Sequence, residues 1–158
     1  MIAGCFLHFL YDWTDRSIIV APFSAVNEST WEHMKLLFFP MFIFALIEYK
    51  FIGGNYKNFW CAKYIGIITG LLLIPVIYYT YTGLLGVNAD WFNIIIFFIA
   101  AGTAYYLENL LLKSNINFSK SFFSFVILCL IAVLFIVMTF IQPKIPLFQD
   151  MITGSYGI

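Results

Sequence analysis

The sequence predicts an all-α integral membrane bundle of about five transmembrane helices, and three observations predict it. Only 10% of the 158 residues are charged and 63% are hydrophobic, whereas a soluble domain carries about a quarter charged residues. The apolar residues fall in long Phe/Ile/Leu runs, and a helix needs roughly 20 such residues to cross a bilayer. Between the runs lie turn-forming segments: Gly53-Gly54-Asn55, the stretch from Gly83 to Asp90, and Gln142-Pro143-Lys144-Ile145-Pro146. The whole of 1–158 reads as one helical domain whose partner is the lipid bilayer. A formal net charge of zero gives no case for nucleic acid as a partner.

The first apolar stretch, 1–13, carries His8 and Asp12 just before Asp15 and Arg16. It falls short of a full crossing, so either further residues stand upstream, which is the favoured expectation, or the helix enters only part-way. The N-terminus lacks the basic start and small-residue cleavage site of a signal peptide. Thr14 to Asn27 is a connector, in which Pro22 and Ser24 argue against continuous helix.

The second span, 29–49, opens on Ser29-Thr30-Trp31-Glu32. This fits a capping box, with hydroxyl and carboxylate each satisfying a free amide of the first turn. Pro40 predicts a kink. The third span, 59–82, is interrupted by Gly66, Gly70 and Pro75 and holds Thr69 and Thr80, which can bond within the helix or across to a neighbour. The fourth, 91–112, carries Gly102 among Ala100, Ala101 and Ala104, a patch suited to close helix packing. A turn from Ser114 to Lys120 leads to the fifth span, 121–141, which contains no charge.

Cys5, Cys61 and Cys129 lie in apolar segments without ligand spacing and read as inert thiols. Trp13, Trp31, Trp60 and Trp91 fall near the span ends, as an interfacial belt requires. Lys50, Lys57, Lys63, Lys113 and Lys120 flank one set of loops, against Arg16, Lys35 and Lys144 on the other side. That bias places the N-terminus inside and the start of the second span outside.

Orientation sorts the polar residues into two layers. The inner layer holds Glu48, Lys63, Glu108 and Asn109, where a carboxylate pairing with Lys63 is the plain structural reading. The outer layer holds His8, Asp12, Asn27, Glu28, Glu32, His33 and Lys35, with Asp90 and Asp150 nearby. His8 and Asp12 share a helical face, whereas adjacent Glu32 and His33 diverge by about 100°.

Three readings of the outer layer stay open. The first is a structural cap and buried network, in which Asn27, Ser29 and Glu32 hold the helix start and Lys35 neutralises Glu28 or Glu32. The second is a metal or acid–base site of His8, Asp12, Glu32 and His33, whose nitrogen and oxygen donors suit a divalent metal such as zinc, with metal-dependent hydrolysis as the implied chemistry. The third is a pocket or pathway for a small molecule or ion, with His8, Asp12, Glu32 and His33 lining it, Asn27 and Glu28 at its rim and Lys35 balancing charge. An uncharacterised membrane protein binding a small ligand or ion there is the leading functional statement. A membrane-embedded hydrolase and a structural or interaction subunit are the alternatives.

His8-Phe9-Leu10-Tyr11-Asp12-Trp13, the segment from Val26 to Pro40 (VNESTWEHMKLLFFP), and the tail Pro146–Asp150 with Thr153–Gly157 resemble a family of small bacterial multi-pass membrane proteins of unknown function. The resemblance covers nearly the whole chain. It implies a helical bundle in a bacterial cytoplasmic membrane, and no chemistry.

Overall fold

The computed structural model describes residues 2–114 and 121–158. Residues 115–120 of the predicted turn, Lys120 among them, lie outside the described residues, as does Met1. The described chain is all helix and connection: α1 (Ile2–Trp13), α2 (Thr30–Ile52), α3 (Phe59–Leu85), α4 (Asp90–Leu112) and α5 (Ser121–Phe140). Short 3₁₀ turns occupy Gly53–Asn55 and Pro146–Phe148. The four helices α2 to α5 are long and apolar enough to cross a membrane. At 12 residues, α1 is not.

Helices α2 and α3 form the middle of the bundle, and α3 runs along α4 over the longest contact. Glycines on α3 make that approach possible. A Cβ at Gly66 would meet the Ala104 carbonyl oxygen at 2.8 Å and overlap the Glu108 side chain. At Gly70 it would lie 3.0 Å from the Ala104 methyl and 3.2 Å from the Ala100 carbonyl oxygen. The alanines of the predicted small patch therefore do pack. Gly102 does not, since it faces outward with nothing within 4 Å of a Cβ built there. The 3.6-residue period explains this: Ala100 and Ala104 share a face, and position 102 lies across the helix from it.

Helices α2 and α3 each run three residues past their expected ends. The first continues through Pro40 and hands over to a 3₁₀ turn at Gly53. The second ends only at Gly86, whose left-handed conformation (φ 67°) closes the last turn on Thr82 O. Thr69 and Thr80 satisfy themselves within α3, on Ile65 O at 2.8 Å and Val76 O at 2.6 Å.

The core is aromatic. Trp31 packs between Phe135 and Phe148, each 4.6 Å between ring centroids, and Phe38 sits 5.1 Å from Phe135. Trp60 lies 4.5 Å from Phe125. Trp31 and Trp60 are thus core residues, each 8% exposed, and only Trp13 and Trp91 have the exposure expected of a belt. Nearness to a helix end fixes a tryptophan's height along the bundle but not the side it faces. Among the thiols, Cys61 is buried against Ser124, whereas Cys5 is exposed.

The connector before α2 is held by a hydroxyl inserted into α1. Ser24 Oγ accepts from Tyr11 N at 2.9 Å and donates to Leu7 O, standing where the helical bond between those groups would be. Gly4 completes the docking, since a Cβ there would meet Phe97 at 2.6 Å and Leu36 O at 2.8 Å. These two contacts bring His8 to the mouth of α2.

Candidate functional site

The first turn of α2 divides its polar residues between two destinations. Ser29 is the N-cap, and its hydroxyl accepts from Glu32 N at 3.3 Å, half of the predicted capping box. The other half is absent. Ser29 N donates instead to Asn27 Oδ1 at 3.1 Å, in an Asx turn that already satisfies the amide. Glu32 is thereby released, and it pairs with Lys35 at 2.5 Å while accepting from Val26 N at 3.1 Å.

Glu32 and Lys35 are both fully buried. The ammonium also donates to Ala21 O at 2.8 Å and Thr139 Oγ1 at 3.1 Å, tying the connector and α5 to α2. The second carboxylate oxygen of Glu32 has no hydrogen-bond partner among the described residues. Glu32 therefore depends on Lys35 for its charge compensation. Neither residue joins the histidines.

The second destination is a group that the sequence assembles only in part. His8 Nε2 lies 3.4 Å from Glu28 Oε1, and His33 Nε2 lies 3.5 Å from Glu28 Oε2. The two imidazoles face each other with centroids 5.8 Å apart and planes 31° apart. One donor atom from each of the three residues falls within 4.8 Å of the other two.

The remaining ring nitrogen of His33 is already used, since Nδ1 lies 2.9 Å from Ser29 O. A carbonyl accepts only, so Nδ1 carries the proton. In the neutral ring the Nε2 lone pair then points at a carboxylate oxygen. That arrangement is repulsive unless a cation, either a proton or a metal ion, lies between them.

Asn27 and Asp150 build the frame. Asn27 Nδ2 donates to Gly157 O at 3.0 Å, and Glu28 N donates to Asp150 Oδ2 at 3.0 Å. The other oxygen of Asp150 accepts from Ile152 N at 2.8 Å and Thr153 N at 2.7 Å. Burial alone would raise the Asp150 carboxyl, but the amides of Thr153, Glu28 and Ile152, with the Thr153 hydroxyl, hold it below the usual aspartate range. The tail is thus fastened across the start of α2.

Asp12 stays apart from the histidines. One turn beyond His8, its side chain is largely exposed and lies 3.9 Å from Arg16. Of the expected residues, then, His8, Glu28 and His33 converge, Asn27 shapes their surroundings, and Asp12, Glu32 and Lys35 are engaged elsewhere. Glu28 moves from the rim to the centre because it precedes the N-cap, where the chain is not helical and the side chain can turn across to α1.

At the opposite end of α2, Lys63 donates to Glu108 at 2.9 Å and to Glu48. This is the pairing expected of the inner layer. Asn109 is exposed and takes no part through its side chain among the described contacts, though its carbonyl accepts from Lys113 N.

The convergent group opens on a cavity of about 430 Å³ between α1, α2 and α4. His8, Glu28, His33, Asp90 and Asn93 make one edge polar, and the walls are apolar. No curated protein and no solved structure matches the chain. A family model, described as a family of unknown function (DUF6512), matches residues 1–158. The chain belongs to that family.

Proposed function

We propose that this is a multi-pass membrane protein that binds a divalent transition-metal cation, zinc by its donor set, through His8, Glu28 and His33. The reading also places the connection between α2 and α3, with Lys50 and Lys57 beside it, on the cytoplasmic side and the mouth of α2 on the other. The membrane part rests on four apolar helices whose outward faces carry Leu72, Val76, Ile94, Phe123, Leu130 and Val133, each more than half exposed. Water disfavours such a surface and lipid does not.

The cation part rests on one observation above all: His33 Nδ1 is committed to Ser29 O, so the Nε2 lone pair is aimed at the cluster. Metal-bound histidines are oriented in this way, with the second nitrogen donating to a carbonyl or carboxylate. Two imidazoles and a carboxylate are a zinc donor set that leaves a fourth position open. Donors in tetrahedral zinc lie roughly 3.4 Å apart, given bonds of about 2.0–2.1 Å. His8 Nε2 and His33 Nε2 lie at that distance from different oxygens of Glu28, and with one donor atom per residue the set spans up to 4.8 Å, so small side-chain rotations close it around an ion.

Binding is favoured over hydrolysis. A metal-activated water is helped by a base within hydrogen-bond reach, and of the two carboxylates the sequence offered with the histidines, Asp12 is turned to Arg16 and Glu32 is locked to Lys35.

Elemental analysis of detergent-purified protein, beside the His8→Ala/His33→Ala variant, tests the proposal. Wild type should retain about one zinc per chain and gain thermal stability as zinc is added, because a ligand that binds only the folded state stabilises it. The variant should fold and do neither, since both side chains are partly exposed. Wild type that holds no metal and shows no thermal shift in excess zinc overturns the reading and leaves a structural ion-pair cluster.

A further inference from the structure

The cavity beside the three donors is far larger than a cation needs. At about 430 Å³ it lies within the range of small-molecule sites, whereas a water molecule occupies only about 30 Å³. It is also two-faced. The polar edge joins His8, Glu28 and His33 to Asp90 in the first turn of α4, while Phe9, Leu36, Phe97 and Phe98 form apolar wall. Phe9 is half exposed, Phe98 is 40% exposed and Ile94 is 58% exposed, so the apolar wall runs out onto the surface that the membrane reading gives to lipid.

Charge narrows the occupant. A divalent cation held by two neutral imidazoles and Glu28 leaves one positive charge and an open position, which calls for an anionic oxygen. Asp90 supplies a negative charge on the same edge, and its side chain has no ion pair or hydrogen bond among the described residues. A head carrying only negative charge would meet the cation well and Asp90 badly. A head with a phosphate oxygen and a neighbouring ammonium would satisfy both.

We infer that the cavity takes the head and first chain segment of an aminophospholipid, its phosphate on the bound cation, its ammonium toward Asp90, and its hydrocarbon along Phe9, Phe97 and Phe98. This rests on the cation reading above.

The test uses delipidated full-length protein in a non-ionic detergent, with zinc loading and probe binding measured separately. The probes are lysophosphatidylethanolamine, lysophosphatidic acid and glycerophosphoethanolamine, which has the head but no chain. Zinc-loaded protein should bind lysophosphatidylethanolamine at least about tenfold more tightly than the chainless head, and only weakly once zinc is chelated. Its preference over lysophosphatidic acid should fall about threefold in Asp90→Asn. Ile94→Trp, placed at the exposed rim, should lose the lipid and keep the zinc.

If zinc binds but the chainless head binds as well as the lysolipid, the inference is overturned and the cation site stands. Equal affinity for the two lysolipids, unmoved by Asp90→Asn, overturns the choice of head. If zinc does not bind, or the lysolipid binds equally without it, the cation-mediated inference fails, and in the first case the cation reading fails with it.

Discussion

Glu28 and Glu32 stand four residues apart at the start of α2, and they end in opposite circumstances. Glu32 is sealed: fully buried, 2.5 Å from Lys35, with one oxygen left unpaired. Glu28 is open: partly exposed, between two imidazoles, at the edge of a cavity. Glu32 belongs to the polar groups that hold the bundle together, and Glu28 to those left available. In the sealed pair every charge has a fixed partner inside the protein, so any change is paid in stability. In the open group the carboxylate is shared by two imidazoles, and the one whose proton is fixed, His33, faces it with a lone pair, so the cation between them, a proton or a metal ion, comes from outside.

Removing the ammonium of the sealed pair has the largest expected effect. Lys35→Met leaves Glu32 as an uncompensated buried charge, and losing one member of such a pair costs about 3–5 kcal/mol. Thermal unfolding in detergent should show a large loss, or no folded protein. The double variant Glu32→Gln/Lys35→Met should recover most of it, because a neutral amide can still accept from Val26 N and no charge remains buried. A single variant as stable as wild type would mean that Glu32 is not sealed at all. The corresponding removal from the open group, His8→Ala/His33→Ala, is expected to leave the fold standing.

The sealed class extends to Lys63 with Glu48 and Glu108, and there a backbone position can break it from outside. Gly66→Ala would drive a methyl into the Glu108 side chain and to 2.8 Å from Ala104 O. The carbonyl cannot withdraw without moving α4, and overpacking of this kind costs about 1–3 kcal/mol. Gly102→Ala meets nothing within 4 Å and should stabilise by up to about 1 kcal/mol through helix propensity. Opposite signs in one detergent melt are the expected outcome. Equal signs would mean that α3 and α4 do not meet on this face.

What could be read in the sequence follows from how local each cause is. Helix number and order are written in long apolar runs, because a run's length and its turn residues act over neighbouring positions. The Ser29 cap was legible for the same reason; the pairing of Lys63 with Glu48 and Glu108, far apart in the chain, was legible because span counting puts all three at one level and ionisable groups there seek partners. The half-formed capping box was not, because Asn27 competes for the Ser29 amide and Lys35 competes for Glu32, and a motif match does not weigh competitors. Asp12 was misplaced beside His8 because helical spacing ignores Arg16, one turn on. Glu28 was assigned to a rim because its reach depends on where Ser24 and Gly4 dock α1. Asp150 lay 122 residues from Glu28, and nothing local announces such a bond. Lys35 was expected to neutralise Glu28 or Glu32, and it is Glu32 that it pairs with, since residues three apart on a helix are neighbours.

The mildest perturbation acts on the frame of the open group rather than on its donors. Asp150 holds the Glu28 amide and two amides of its own turn, and its carboxyl sits below the usual aspartate range. A depressed folded value means that the ionised form is preferred in the native state. Its contribution is complete above the unfolded value of about 3.9 and is lost as pH falls from there through the lower folded value. The Asp150→Asn variant should therefore be less stable than wild type near neutral pH, by about 1 kcal/mol for hydrogen bonds that have lost their charge, and the gap should close as the solution is acidified. Amide exchange at Ile152, Thr153 and Glu28 should quicken in the variant before the helices respond. Zinc affinity should fall only slightly, because Glu28 keeps its side chain and loses only the partner that fixes its backbone. A variant that melts like wild type at every pH, with those three amides still protected, would show that the tail is fastened by Trp31 on Phe148 and by Asn27 on Gly157. The frame of the open group would then be aromatic packing and one amide bond rather than charge.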